Sequence, residues 1–362
     1  MGLNRMGRVA ALMATGALVF AACSNTGSSS APATQAASQA PAASQPASAP
    51  ASAAASAPAS AGAALPPPTV TKDLVIGAAF PQVDTFLGKV KDGMEAEAAA
   101  LSTASGHKVT VNVTSAFVNG QEDVATQLSQ VENFVSQGVD AIVVIPVDTS
   151  AAQPMTDAAK AANIPLVYVN RNPSIADNPY VGSDSLYAGT VEMTELAKLA
   201  GGKGNVVILQ GQTNNEAAVL RTQGCNDVVA KNPGMKVTKT QSGNWARDQG
   251  LSIMENWLQT GDQIDVVCAN NDEMALGAIK AIDDAGKTGK IIVGGVDATA
   301  DALAAMQAGT LATTVFQNAK GQGGGGVDAA ATLAGGGSVP PLIDIPYELV
   351  TKDNLSQYLG KN

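Results

Sequence analysis

Asn170 and Arg171, the run Asn270 to Glu273, then Asp297 and Gln317 make up a sparse set of amides, carboxylates and one guanidinium, each placed just after a short apolar run. Phe86 and Trp245 stand in neighbouring loops. This mixture suits recognition of an uncharged polyol. A hydroxyl both donates and accepts, so amides, carboxylates and a guanidinium can pair adjacent hydroxyls while aromatic faces cover the C–H faces of a ring. The same residues are poor material for catalysis. A glycosidase needs two carboxyl groups at a set separation, and here the obvious acids stand beside Asn or Arg. His107, the single histidine, sits in a polar turn with no acid or nucleophile at a recognisable spacing, so a surface role is expected. Asp297 leaves two roles open, the N-cap of a helix through Leu303 or an acceptor for ligand hydroxyls. One histidine and three cysteines leave little for metal or nucleophile chemistry, and no cofactor, metal or catalytic residue is expected.

Nucleotide sites fail on their motifs. Gly77 is followed by Ala78-Ala79-Phe80-Pro81 rather than a G-x-G-x-x-G turn, and no G-x-x-x-x-G-K-[ST] occurs. The glycine run Gly321 to Gly326 lacks a following Lys and leads into Val327-Asp328-Ala329-Ala330, which predicts a helix packed closely through glycine.

The elements that must hold these residues follow one alternation. Leu74-Val75-Ile76 precedes a helical stretch Phe86 to Leu101; Val109 to Val113 precedes Glu122 to Gln137; Ala141 to Ile145 precedes Ala151 to Ala162; Leu166 to Val169 follows. After Val181 the pattern resumes with a helix from Ser185. Strands at Val206 to Leu209, Val237 to Thr240, Val266 to Ala269, Ile291 to Val293 and Thr313 to Phe316 then alternate with helices from Asn215, Ala246, Glu273 and Ala300. Strands apolar throughout imply sheets covered on both faces. The fold class is therefore α/β, with two parallel-sheet, Rossmann-like lobes in succession. Each presents a row of strand C-termini where ligands characteristically bind, and two facing rows make a cleft.

The remaining chain reads as targeting. Arg5 and Arg8 precede an apolar stretch from Val9 to Phe20, and Ala21-Ala22 stand directly before Cys23, the order of an export signal ending in a lipobox-like site. Residues 1–22 are expected to be a signal peptide and Cys23 the lipidated N-terminus, so the membrane is a partner through a lipid anchor in the periplasm or cell envelope. Residues 23–72, nearly all Ala, Ser, Pro, Gln and Thr, read as a tether. The chain of 362 residues carries 21 Lys and Arg against 31 Asp and Glu, a formal charge of −10, and no basic run longer than two, which argues against nucleic acid as partner. Cys225 on a helix and Cys268 in a buried strand are expected to be two core thiols.

Several segments carry a family resemblance. Asn271-Asp272-Glu273-Met274-Ala275-Leu276-Gly277-Ala278, Pro165-Leu166-Val167-Tyr168-Val169-Asn170-Arg171 and Gly295-Val296-Asp297-Ala298-Thr299 resemble the periplasmic sugar-binding proteins of the ribose-binding type, which serve ABC transporters and chemotaxis. The match runs from about Leu74 to Leu349. Ile145-Pro146-Val147-Asp148-Thr149, Asn244-Trp245 and Thr314-Val315-Phe316-Gln317 make it most similar to the inositol-binding branch. The resemblance implies the type I periplasmic binding protein fold, with two lobes joined by a three-crossing hinge. The first lobe is expected over 73–182 plus 318–348, and the second over 183–317 plus 349–362. It further implies Phe86 and Trp245 as aromatic walls and Arg171, Arg221, Asn271, Asp297 and Gln317 as polar contacts, with Asp84 and Asn170 beside them. Asp84 stands where ribose binders have Asn, Ile145 where they show Asn, and Asn170 where they show Asp. The last two departures remove partners that ribose would use and favour a ring bearing hydroxyls all round, myo-inositol first. The implied partners are a small sugar or polyol and ABC permease subunits, and a monomer is expected. Pentose binding of the ribose or xylose type, or a chemotaxis or sensor receptor without transport, are the alternatives.

Overall fold

A computed structural model describes residues 65–361. The expected signal peptide, Cys23 and the tether as far as residue 64 lie outside the described residues. The chain opens with β1 (Leu74–Phe80), α1 (Thr85–Ser105) and β2 (Val109–Ser115), then a short hairpin of β3 (Phe117–Val118) and β4 (Gln121–Glu122). It continues through α2 (Val124–Gln137), β5 (Ala141–Val144), α3 (Gln153–Ala161), β6 (Leu166–Val169) and β7 (Tyr180–Gly182). A second series follows with α4 (Ser185–Leu199), β8 (Lys203–Gln210), α5 (Glu216–Ala230), β9 (Gly234–Ser242), α6 (Arg247–Gln259) and β10 (Val266–Ala269). It is completed by α7 (Asp272–Asp284), β11 (Ile292–Gly294), α8 (Ala300–Ala308) and β12 (Thr314–Phe316). The chain ends with α9 (Ala319–Ala334), β13 (Leu342–Asp344) and β14 (Glu348–Val350).

Two sheets result. The first has the order β13-β7-β6-β5-β1-β2 with every pair parallel, and the second β11-β10-β8-β9, also parallel. β12 continues the second sheet through parallel bridges Gly294 to Thr313 and Asp297 to Phe316, and pairs antiparallel with β14. The central strands are apolar on both faces because helices cover both. Ile76, Ala78 and Phe80 pack with α1 and α9, whereas Ile142, Val144 and Tyr168 pack with α2 and α3. In the second sheet Ile208 and Cys268 face α4 and α5, while Leu209 and Val267 face α6 and α7.

The glycine run lies inside α9, as expected from sequence. A Cβ on Gly323 would come within 2.0 Å of the Val90 carbonyl on α1, and one on Gly93 within 2.3 Å of the Lys320 carbonyl, so glycine sets the approach of the two helices. The chain crosses between sheets three times: after β7, after β12 and between β13 and β14. Strand order reverses at β1/β5 in one sheet and at β8/β10 in the other, the positions where a doubly wound sheet opens a crevice at its strand C-termini.

Three expectations are corrected. Residues 65–72 are not free tether: Val70 is buried in the first-lobe core, Leu65 packs against it, and Lys72 bonds Asp140 at 2.6 Å. Cys225 and Cys268 are joined in a disulfide, because α5 lies directly over β10 and holds the two Cα atoms 6.8 Å apart, within bridging range. The helix expected from Glu122 begins at Val124 behind an Asp123 cap, which leaves Glu122 in the β3–β4 hairpin.

Candidate functional site

Aspartate, asparagine or threonine at helix starts does much of the positioning here. Asp84, just beyond β1, caps α1 by accepting from the Leu87 N–H at 2.7 Å, and its second oxygen accepts from Gln82 at 3.1 Å. Burial pushes its carboxyl up, partly offset by the Leu87 N–H and the Arg171 charge. Phe86, expected both on a loop and at the start of a helical stretch, is the second residue of α1, which the Asp84 cap starts at Thr85. At the end of β6, Asn170 adopts left-handed φ (66°) and donates to Gln322 Oε1 at 2.9 Å; Gln322 in turn donates to Ser183 at the first crossing.

Arg171 is 4% exposed and its fork is largely engaged. Nη1 donates to Glu122 Oε2 (3.0 Å) and to the carbonyls of Pro146 and Val147, and Nη2 donates to Glu122 Oε1 at 3.2 Å. The hairpin that sequence periodicity missed exists to deliver this carboxylate.

The second lobe supplies the opposing wall. Arg221 on α5 donates through Nη1 to the Asn270 carbonyl (2.6 Å) and through Nη2 to Gln317 Oε1 (2.9 Å) and the Tyr347 hydroxyl (2.6 Å). Its guanidinium lies 5.7 Å from the centre of Trp245 and 5.5 Å from that of Tyr347. Asp297 is 3.8 Å from Arg221; burial drives its carboxyl well up, opposed by the Arg221 charge. Asp297 is not a helix cap, since Thr299 caps α8. Asn271 caps α7 and donates to the Trp245 carbonyl at 3.1 Å. Asp272, fully buried, accepts from Thr299 N–H, Thr299 Oγ1 and Thr314 Oγ1, which fixes the loop bearing Asp297.

Strain concentrates here. Asn170, Asn244, Trp245, Asp297 and Ala298 all have positive φ. Such conformations each cost of order 1–3 kcal/mol and persist where the surroundings fix them, and they cluster at functional sites. Trp245 lies flat on Gly211, where a Cβ would come within 2.2 Å of the indole.

All nine residues expected at the site, namely Asp84, Phe86, Asn170, Arg171, Arg221, Trp245, Asn271, Asp297 and Gln317, line one inner cavity of about 50 Å³. It adjoins an outer cavity of about 600 Å³ that shares Asp84, Phe86, Trp245, Asn271 and Asp297. Across the mouth, Asn214 of the second lobe meets Asp148 and Thr149 of the first at 3.4 Å. Sequence reasoning did not single out Glu122, Gln322 or Tyr347. Glu122 follows an Asn119-Gly120 turn, which was the one local hint of a hairpin; the other two act through arginine or amide partners distant in sequence. The arrangement can hold a ring of hydroxyls between aromatic faces, with Arg171 paired to Glu122 and Arg221 lying 3.8 Å from Asp297.

A model of a periplasmic binding protein domain matches residues 78–338. A putative rhizopine-binding protein of Rhizobium meliloti is 44% identical over 296 residues, which are 79% of this chain and 93% of that protein. A xylitol-binding protein of Mycolicibacterium smegmatis is 37% identical, over 77% of this chain and 78% of its own length. Among solved structures, an ABC transporter solute-binding protein from Bacillus halodurans with bound myo-inositol superposes with a TM-score of 0.75. It is 40% identical and the match covers 80% of this chain and 99% of that one.

Proposed function

This chain belongs to the periplasmic binding protein family, whose members bind solutes rather than turn them over, and from that premise we propose that it captures a neutral cyclic polyol, myo-inositol foremost, for an ABC importer. The observation that carries the reading is the inner cavity, where Asp84, Asn271, Asp297 and Gln317 meet the two arginines between the faces of Phe86 and Trp245. Carboxylates and amides accept and donate around a hydroxylated ring, and the paired charges leave no net field to demand an ionic ligand. The myo-inositol bound to the Bacillus halodurans protein supports the ligand class. Ribose is disfavoured because Ile145 is wholly buried and apolar, and the Asn170 amide nitrogen is directed to Gln322.

The nine cavity residues are the ligand contacts in this reading, and the protein acts at the cell envelope, held by lipid on Cys23. Differential scanning fluorimetry against polyols and sugars tests the ligand, because a molecule that binds only the native state raises Tm. myo-Inositol is expected to give the largest rise; a larger rise with ribose or xylose overturns the cyclitol while keeping the receptor. Cys23→Ser is expected to release the protein from membranes, and a wholly soluble wild type contradicts the anchor.

A further inference from the structure

The inner cavity is too small to hold a six-membered ring alone, so a ring must sit where the two cavities meet, leaving most of the outer 600 Å³ unfilled. The lobes already touch at Asn214, so this space persists while they are in contact. Its wall is rich in amides: Gln82, Gln121, Gln212, Asn214, Asn244 and Gln249. Its charges are spent on one another, with Arg247 bonded to Glu273 and Asp301, and Glu122 bonded to Arg171. Two residues of the wall, Gln212 and Trp245, each carry a buried atom, Gln212 Oε1 and Trp245 Nε1, without a hydrogen-bond partner among the described residues. One is an acceptor and the other a donor, and a hydroxyl satisfies both kinds. Phe117, half exposed on the β3–β4 hairpin, adds an aromatic face to the same chamber.

We propose that this outer chamber is a second carbohydrate subsite, so that the protein accepts a cyclitol carrying a neutral, O-linked sugar. This rests on the cyclitol reading above and extends it from one ring to two. Among the described residues the one cation lining the chamber, Arg247, is bonded to Glu273 and Asp301, so a neutral substituent fits better than an anionic one.

The test is calorimetric titration of the full chain with myo-inositol, a galactosyl-myo-inositol and myo-inositol 1-phosphate, repeated with Gln212→Leu. The galactosyl compound is expected to bind at least as tightly as myo-inositol and the phosphate at least tenfold more weakly. Gln212→Leu should weaken the galactosyl compound about tenfold, the scale of one lost hydrogen bond, and leave myo-inositol unchanged. A galactosyl compound bound tenfold or more below myo-inositol shows that the chamber is only the cleft mouth and overturns the subsite. Equal weakening of both ligands by Gln212→Leu also overturns it. If neither cyclitol binds while a simple sugar does, the cyclitol reading fails and takes this inference with it.

Discussion

Arg171 and Arg221 stand on opposite walls of one cleft, both 4% exposed, and are held by different means. Arg171 is bonded within its own lobe, to Glu122 from the hairpin and to the carbonyls that follow β5. Arg221 reaches Gln317 at the second crossing and Tyr347 at the third, as well as Asn270 at the end of β10. Four of the five left-handed site residues, Asn244, Trp245, Asp297 and Ala298, also belong to the second wall. The contrast teaches that the second wall is wired into the hinge, whereas the first is held wholly within its own lobe. On the proposed reading, a ligand touching Arg221 would bias lobe position directly, and one touching Arg171 would do so only by being trapped.

The sharpest way to break this comparison is to remove each arginine in turn. Arg221→Ala deletes three charge-assisted hydrogen bonds of roughly 1.5–3 kcal/mol each and leaves Asp297 buried without its nearest cation. myo-Inositol affinity should fall more than about a thousandfold, and the decrease in radius of gyration expected of the wild type on ligand addition should disappear. Arg171→Ala should cost about a hundredfold in affinity, yet at saturating ligand the lobes should still close. It also strands Glu122, so stability should drop by about 3–5 kcal/mol. Adding Glu122→Gln should restore part of that stability and none of the affinity. Loss of closure in the Arg171 variant would erase the distinction between the walls.

The disulfide sharpens the same contrast, because it lies wholly in the second lobe. Cys225 is one helical turn beyond Arg221, and Cys268 is two residues before Asn270. Reduction, or Cys225→Ala with Cys268→Ala, should lower stability by about 2 kcal/mol, the low end for a native disulfide. The Arg221 and Thr222 bonds to Asn270 still hold α5 on β10, so affinity should fall less than about tenfold. Thermal melts with and without reductant check the first number, and titrations the second.

A smaller effect is expected from Glu216, which opens α5. Burial pushes its carboxyl up to about 7, opposed by the Arg221 charge. The native state therefore binds more protons than the unfolded state between the ordinary glutamate range and about pH 7, and stability falls as pH rises through that window. Discounted for its partial solvent access, the loss is on the order of 1 kcal/mol. Glu216→Gln should flatten it in melts from pH 5 to 8, and an unchanged slope would assign the dependence to other buried acids.

The two walls were unequally legible in the sequence. Strands such as Ala141–Val144 and Val266–Ala269 stood out because burial on both faces demands unbroken apolar runs. Residues at their ends, Asn170, Arg171 and Asn271, followed from polar groups where a strand should stop. Glu122 did not, because two-residue strands have no period to detect and the residue before a capped helix looks like the helix itself. Nor did the role of Tyr347 or the Cys225–Cys268 bond, since each depends on which elements pack together rather than on local pattern. Asp297 was ambiguous for a similar reason: Asp297 and Thr299 are both acceptable caps two residues apart, and only the parallel bridge to Phe316 turns Asp297 into the cleft.

The central claim, a second wall wired into the hinge that receives a neutral cyclitol, is tested most directly by titrating the wild-type chain calorimetrically with myo-inositol, ribose, xylose and glucose under one buffer. The account predicts one site per chain, myo-inositol the tightest of the four, and loss of that binding in Arg221→Ala at a temperature where the variant remains folded. Undiminished myo-inositol affinity in folded Arg221→Ala, or ribose bound far more tightly than myo-inositol by the wild type, would contradict it.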